Sequence, residues 1–281
     1  MSIEKISKGI KLMDSLTNTA KALQFNAEAP QVCSQNYLQA IGEGNILNHI
    51  IFNKFGRVSN VGTSTVDVWS GGSIYVFPAT AQKMDIVSSS AQDKGTTTVG
   101  TGVQIVRIIG LDATYTQITE DVTLDGTNIV TTTNSFLRIN RLYAIQCGTS
   151  LAAAGTITAK GTGGAVVYSQ IDINLTSDRQ LIYTVPLGKT LYVTSIRVGA
   201  GIGGTSVKNE FCTFTAKATT DGTNVYNFFL PFAEIGVMNG SIQLPVEEVQ
   251  KIPATTDIKA SVIGDSAQGA LCTSAVRGWL E

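Results

Sequence analysis

The chain has 281 residues, of which 43% are hydrophobic, as expected for a globular protein large enough for two domains. A net charge of −1 and a pI near 5.9 argue against a nucleic-acid partner, which would require a concentrated basic face. Charged residues make up only 15%, and the 34 threonines and 28 glycines together outnumber them. That composition suits either an ordinary β-protein with a neutral surface or a protein in permanent contact with others.

The apolar runs are too short for a transmembrane helix, which needs about 18 consecutive apolar residues, so no membrane partner is expected. The N-terminal residues lack the apolar core of a secretory signal, which predicts synthesis in a cytoplasm. The four cysteines are far apart in sequence and are interpreted as buried free thiols; they are Cys33, Cys147, Cys212 and Cys272. With a single histidine, His49, no metal site and no cofactor are predicted.

Residues 1–60 are predicted to form a helical and irregular N-terminal arm. Apolar residues spaced three or four apart predict an amphipathic helix over residues 1–25. Its stripe either packs on its own domain or docks on a neighbouring subunit or particle surface. The predicted docking residues are Ile3, Ile6, Ile10, Met13, Leu16 and Leu23. A second short helix is predicted within Leu38–Phe55, interrupted near Gly42 and Gly44.

Beyond the arm, short apolar alternations separated by turn residues predict a mainly β protein with two tandem antiparallel β-sandwich or jelly-roll-like domains. The first domain is predicted at residues 61–164 and the second at residues 165–281. Strands of the first are expected near 65–70, 73–77, 84–88, 103–110, 115–124, 128–133 and 136–146. Strands of the second are expected at 166–175, 181–185, 190–198, 211–218, 225–230, 242–244, 258–262 and 271–280.

Asp125-Gly126 lies between two β-rich runs, which predicts a tight hairpin with positive φ and an exposed tip. The surrounding TLDGTNI is echoed later by TTDGTNV, which places a second exposed tip at Asp221-Gly222. The echo indicates either two related sandwiches or a common turn composition that recurred by chance.

No arrangement of residues predicts catalysis. His49 has no motif around it and is interpreted as a satisfied structural histidine. The adjacent carboxylates Glu120-Asp121 and Glu247-Glu248 would point to opposite faces of a strand, so neither forms an acid–base pair. Residues 199–204 are glycine-rich but precede a loop and a strand, whereas a dinucleotide fingerprint opens a helix.

Aromatic residues are scattered along the chain. Trp69 and Trp279 are interpreted as core or interface anchors. The densest apolar patch surrounds Pro231 and is expected in a core first and in a subunit contact second; it comprises Tyr226, Phe228, Phe229 and Phe232.

Several strings resemble virion structural proteins of tailed bacteriophages: FGRVSNVGTSTVDVWSGG from Phe55 to Gly72, VRIIGLDATYTQITEDVTLDGT, SFLRINR, YTVPLGKTLYVTSIRV and the closing IPATTDIKASV with VRGWLE. The resemblance covers roughly residues 55–281, and no functional residues carry over from it. It implies a non-enzymatic part of a virion that contacts further copies of itself, with a trimer favoured, and other virion proteins such as the major capsid protein.

Three hypotheses remain open. The leading one is a capsid-associated decoration, head-fibre or vertex protein held by its N-terminal arm. The second is a neck, tail or baseplate component, which would carry exposed aromatic or charged loops if it bound a receptor. The third is a carbohydrate-active virion enzyme, which the lack of a convincing acid pair disfavours.

Overall fold

The computed structural model describes residues 12–13, 20–26, 29–34, 37–202, 211–220, 234–265 and 269–281. In this part of the chain the protein is mainly β with antiparallel sheets, as the sequence predicts. The elements are β1 (Leu12–Met13), β2 (Ala20–Asn26), β3 (Ala29–Ser34), α1 (Tyr37–Gly42), β4 (Ile50–Val61), β5 (Val66–Asp67), β6 (Met84–Ser88), β7 (Val103–Leu111), β8 (Gln117–Thr123), β9 (Val130–Thr131), β10 (Arg138–Cys147), β11 (Ile157–Gly161), β12 (Val167–Ile171), β13 (Ile182–Thr184), β14 (Leu191–Ile202), β15 (Phe211–Thr220), β16 (Glu234–Met238), β17 (Gly240–Ile252), β18 (Thr256–Gly264) and β19 (Ala270–Leu280).

Residues 69–180 form one sandwich, called here the inserted module. Its sheets have the strand orders β10-β7-β8 and β12-β11-β6-β9. Alternating side chains from both sheets meet in one core, where Met84, Ile108, Leu142 and Ile157 are fully buried. Because successive side chains of a strand point to opposite faces, each sheet has one apolar face, and these two faces pack against each other.

The described residues of 50–68 and 181–281 form the second sandwich, called here the split module. One sheet has the order β17-β14-β19-β4, and the other has the order β13-β18-β15-β16 with β5 also paired to β18. The two sheets enclose a separate core that includes Val58, Val193, Phe214 and Val262. The strand β4 pairs with β19 from Ile50 opposite Leu280 onward, so the split module joins segments far apart in sequence.

Two antiparallel connectors join the modules. The chain leaves the split module at Val68 and returns at Leu181, whose N–H donates to the Val68 carbonyl at 2.9 Å. Both connectors cross β4 at Gly56, where a Cβ atom would lie 2.2 Å from the Val68 oxygen and 2.5 Å from the Leu181 nitrogen. Only glycine allows the three backbones to approach this closely.

The predicted domain boundaries at 60/61 and 164/165 differ from these modules. Residues 50–61 belong to a sheet of the split module and not to an arm. The boundary at 164/165 would separate β11 from β12, which pair with each other. Periodicity along the chain identifies strands but carries no information about partners this remote in sequence.

The helix predicted over residues 1–25 is wrong where the structure describes it. Ala20–Asn26 is a strand that pairs with Ala29–Ser34, and Leu12–Met13 pairs with β2. The backbone hydrogen bonds of residues 20–26 therefore go to a ladder, and residues 17–19, which read Thr-Asn-Thr, have low helix propensity. Of the predicted docking residues, Met13 lies in β1 and Leu23 in β2. The others lie outside the described residues; they are Ile3, Ile6, Ile10 and Leu16.

The short helix predicted within Leu38–Phe55 is confirmed as α1, which ends at Gly42 and is followed by Gly44 at φ 75°. The strand predicted at 73–77 is not formed. The Tyr75 N–H there donates to the Asp67 carboxylate, so a side chain replaces the ladder partner. The strand predicted at 225–230 and the patch around Pro231 lie outside the described residues.

Candidate functional site

A buried ion pair joins the two modules. Nε and Nη2 of Arg138 in β10 donate to Oδ1 and Oδ2 of Asp257 in β18, each at 2.8 Å. Nη1 of Arg138 donates to the carbonyl oxygens of Pro78 and Leu137, and the exposed fractions of Arg138 and Asp257 are 2% and 0%. A bidentate pair of this kind fixes direction as well as distance, so it sets how the modules face each other.

Neutral hydrogen bonds extend this contact along the interface between the modules, called here the seam. The Thr184 hydroxyl donates to Asp257 at 2.5 Å. The Thr184 N–H donates to Asn140 Oδ1 at 2.8 Å, and Asn140 Nδ2 donates back to the Thr184 carbonyl at 2.9 Å. Because Asn140 lies in β10 and Thr184 in β13, the two bonds between Asn140 and Thr184 cross the seam, whereas the bond from Thr184 to Asp257 lies within the split module.

A second pair of charges, Lys54 and Asp178, also joins the split module to the inserted module across the seam. Lys54 Nζ donates to the Asn140 carbonyl at 2.5 Å and lies 3.5 Å from Asp178 Oδ2, an oxygen that accepts no hydrogen bond from the described residues. Burial lowers the pKa of Lys54 and raises the pKa of Asp178, since each charge has lost its hydration. Burying this pair therefore costs desolvation free energy, and the contacts of the two charged groups offset only part of that cost.

These two charges line a groove of about 260 Å³ along the outer edge of β4. One wall is formed by Ile51 and Phe55, whose side chains are 46% and 44% exposed. The facing wall belongs to the inserted module and includes Ile109, Gln117 and Arg141. The groove is thus mostly apolar, with charged groups at its base and rim.

The outer edge of β4 is unpaired along this groove. The Arg57 N–H donates to the Arg179 carbonyl, so it points away from β19. Because alternate residues of a strand direct their N–H and C=O groups to the same edge, those of Ile51, Asn53 and Phe55 point into the groove. No described strand pairs with them. An open edge with exposed apolar side chains is a template for an added strand.

The predicted exposed hairpin at Asp125-Gly126 is wrong in two respects. The strands on either side, β8 and β9, pair with β7 and β6 in different sheets. Gly126 has the expected positive φ of 64° but is buried against Ala91. Asp125 is half-buried and holds Lys94 at 2.9 Å together with two neutral donors, which lower its pKa. The turn therefore crosses between sheets. Asp221-Gly222 lies outside the described residues.

His49 has the structural role that the sequence predicts. Its Nδ1 contacts the Leu47 carbonyl at 2.8 Å and its Nε2 contacts the Tyr37 hydroxyl at 3.0 Å. The carbonyl can only accept, so Nδ1 carries a proton and donates to it. Both ring nitrogens are engaged within this part of the chain.

The adjacent carboxylates Glu120 and Asp121 are separated as expected. Asp121 forms a two-point ion pair with Arg107 across the sheet, and Glu120 accepts the N–H groups of Thr133 and Asn134. The side chains of Glu247 and Glu248 lie outside the described part of the chain. Among described residues no group of three or more histidine, cysteine, aspartate or glutamate side chains is placed to hold a metal.

The seam residues were missed by sequence reasoning, although a signal for them exists. Arg138 stands in the apolar run SFLRINR, and Asp257 and Lys259 stand in TTDIKASV. Charges inside strand-like apolar runs are unusual and indicate buried pairs. Lys259 confirms this pattern, since its Nζ donates to buried Asp67 at 2.8 Å.

Trp69 and Trp279 are anchors, as predicted. Trp69 packs edge-on against Tyr75 in the core of the inserted module, and Trp279 stacks on Tyr192 in the split module. Cys212 and Cys272 lie buried in the core of the split module, with Cys272 Sγ 3.5 Å from Cys212 Sγ, and Cys147 is a half-buried free thiol.

The described residues include no helix with the length and apolarity needed to cross a bilayer. No protein-family model matches the chain, and no curated protein matches it. Among solved structures, T=1 particles derived from infectious bursal virus are 13% identical with a TM-score of 0.14, covering 83% of this chain and 74% of theirs. The Gt strain of infectious bursal disease virus gives 9% identity and a TM-score of 0.13, covering 83% and 75%. TM-scores this low do not establish a shared fold.

Proposed function

We propose that the protein is a non-enzymatic structural component of a tailed-phage virion that assembles with further copies of itself. The observation that carries the proposal is the open edge of β4, where Ile51, Asn53 and Phe55 present unpaired backbone groups beside exposed apolar side chains. Isolated proteins normally block such edges with charge or with a covering segment. In the run IIFNKFG from Ile50 to Gly56 the only charged residue is Lys54, and it is buried.

The proposed occupant of the groove is a strand from the N-terminal arm of a neighbouring copy. Among the described residues, the sheet β1-β2-β3 shares no ladder with the modules. Exchange of such arms around a ring closes a cyclic assembly, with a trimer as the favoured form. The low charge of the chain as a whole adds little repulsion between copies.

The position proposed within the particle is the capsid surface, as a decoration, head-fibre or vertex protein in contact with the major capsid protein. This rests on the sequence resemblance alone. Immunogold labelling of virions tests it, and label confined to the tail would favour instead the alternative of a neck, tail or baseplate component with a receptor-binding role.

The assembly itself is tested by measuring the mass of the purified protein in solution. Lysine at positions 51 and 55 places charges on the open edge, and the Ile51→Lys/Phe55→Lys variant is expected to be monomeric with an unchanged circular dichroism spectrum. The matched control is Leu151→Lys, which adds a charge at an exposed apolar residue far along the chain and is expected to leave the oligomer intact.

Deletion of residues 1–25 tests the occupant separately. The described residues that form the two module cores begin at Phe52, so the truncated chain retains all of them. We expect the deletion to abolish assembly. A wild-type protein that stays monomeric at high concentration would refute the assembly role, and an oligomer that survives the deletion would refute the arm as its occupant.

A further inference from the structure

A second cleft, of about 280 Å³, lies where β4 passes beyond the groove and the returning connector approaches it. Arg57 and Ser59 come from β4, Ser70 from the outgoing connector, and Asp172, Ile173 and Arg179 from the returning segment. The cleft therefore collects side chains from both modules at their junction. Its volume is close to the lower end of the range for small-molecule sites, about 300 Å³.

Two arginines, Arg57 and Arg179, line this cleft. The Arg57 N–H donates to the Arg179 carbonyl at 3.2 Å, so the two residues are neighbours across the strand pair. Neither guanidinium forms an ion pair with the described residues, whereas Arg107 and Arg138 each hold a carboxylate at two points. A guanidinium group that holds no carboxylate keeps its fork of donors available for a carboxylate or phosphate.

The acid in the cleft, Asp172, accepts hydrogen bonds from two neutral donors. Ser70 Oγ donates to its Oδ2 at 2.7 Å, and Gln170 Nε2 donates to its Oδ1 at 2.6 Å. Each carboxylate oxygen keeps a further lone pair, so Asp172 can accept hydroxyl groups from a ligand. The Ser59 hydroxyl can donate or accept, and Ile173, which is 54% exposed, adds an apolar face.

We propose that this cleft binds an acidic sugar unit, with its carboxylate or phosphate on Arg57 and Arg179 and its hydroxyl groups on Asp172 and Ser59. A bare oxyanion would use only the two arginines and would be repelled by Asp172. A neutral sugar would leave both guanidinium groups unpaired. Only a ligand that carries one anionic group beside several hydroxyls matches all of these side chains. This site goes beyond the proposed assembly function and does not depend on it.

The probes are D-glucuronate, glucose 6-phosphate, D-glucose and inorganic phosphate, titrated into the full-length protein and followed by calorimetry. Glucuronate and glucose 6-phosphate separate a carboxylate from a phosphate as the anionic group. We expect at least one of them to bind at least tenfold more tightly than glucose and inorganic phosphate, with an affinity that falls as salt is added.

The test variant is Arg57→Gln/Arg179→Gln, expected to lose at least tenfold in affinity for the acidic sugar. Its matched control is Arg197→Gln/Arg277→Gln, which removes two exposed arginines from neighbouring strands on the open face of a sheet. The control is expected to bind as wild type. The Asp172→Asn variant should reduce the preference for the acidic sugar over inorganic phosphate.

Each contrary result overturns the proposal. If inorganic phosphate bound as tightly as the acidic sugar, the cleft would be a simple anion site. If glucose bound as tightly as the acidic sugar, the arginines would have no role in binding. If Arg197→Gln/Arg277→Gln lost as much affinity for the acidic sugar as Arg57→Gln/Arg179→Gln, the binding would be a non-specific attraction to positive charge. Absence of binding by every probe in the folded wild-type protein would also refute it. The Ile51→Lys/Phe55→Lys variant tests assembly and leaves the cleft unchanged. The assembly proposal and the sugar-binding proposal can therefore be refuted independently.

Discussion

Replacement of Arg138 by methionine tests whether the seam holds the two modules together. The change removes the guanidinium but keeps an unbranched side chain. It leaves Asp257 with 0% exposure and deprives the carbonyl groups of Pro78 and Leu137 of a donor. The hydroxyl of Thr184 is then the remaining side-chain donor to Asp257. Removal of one partner from a buried pair costs about 3–5 kcal/mol of the free energy of unfolding.

That loss is large beside the roughly 5–15 kcal/mol by which folded domains are stable. With a urea dependence of about 2 kcal/mol per molar, the midpoint should fall by roughly 2 M. The chain has two tryptophans, Trp69 in the inserted module and Trp279 in the split module. Replacement of either one by phenylalanine therefore leaves a fluorescence probe for one module at a time.

In the parent protein the two probes are expected to report the same transition, because the seam couples the modules. In the Arg138→Met background the two transitions should separate. The Arg138→Met/Asp257→Leu double variant removes both charges and should recover most of the lost stability, since a buried pair can be exchanged for apolar groups at little cost. Coincident transitions in the single variant, or a double variant as unstable as the sum of its parts, would refute this account of the seam.

Three further predictions concern other parts of the molecule. Because the pKa of Asp178 is raised above 3.8, the folded state holds an extra proton, and the free energy of unfolding should fall as pH rises from about 4 towards that raised value. Lys54→Met/Asp178→Leu should remove this slope in urea midpoints measured against pH. Gly56→Ala should destabilise by at least about 1–3 kcal/mol in urea unfolding, since two backbones occupy the space of the new methyl group. Maleimide should label Cys147 faster than the two core cysteines, with a rate that rises with pH because burial raises the pKa of this thiol, and peptide mapping identifies the labelled sites. Equal labelling of Cys147, Cys212 and Cys272 would contradict the burial of the two core cysteines.

The strands of the modules are the part of the fold that the sequence predicts best. Runs such as Val103–Leu111 and Leu191–Ile202 contain long β-branched stretches, and these propensities act locally. The turn residues predicted the backbone conformation of the turn but not the pairing of the strands on either side. The positive φ of Gly126 follows from the Asp-Gly pair, but the partners of the flanking strands depend on tertiary contacts that no turn residue encodes.

The candidate sites were harder to predict for the same reason. Arg138 and Asp257 lie more than a hundred residues apart, so each looks like an isolated charge in an apolar run. The open edge of β4 depends on the pairing of Ile50–Val61 with β19 at the other end of the chain. An edge is a property of a completed sheet, and it becomes visible only when every partner has been assigned.

The seam and the groove belong to one mechanical arrangement. The inserted module is attached through two antiparallel connectors that are bonded at Val68 and Leu181, which alone would leave a hinge. The pair Arg138–Asp257 joins β10 to β18 and supplies a second attachment between the modules, so rotation about the hinge would have to break two charge-assisted hydrogen bonds. A groove whose walls come from different modules keeps its width only if that rotation is prevented. The buried charges are therefore best understood as fixing the geometry of the contact surface, at a cost in desolvation that an apolar seam would not carry.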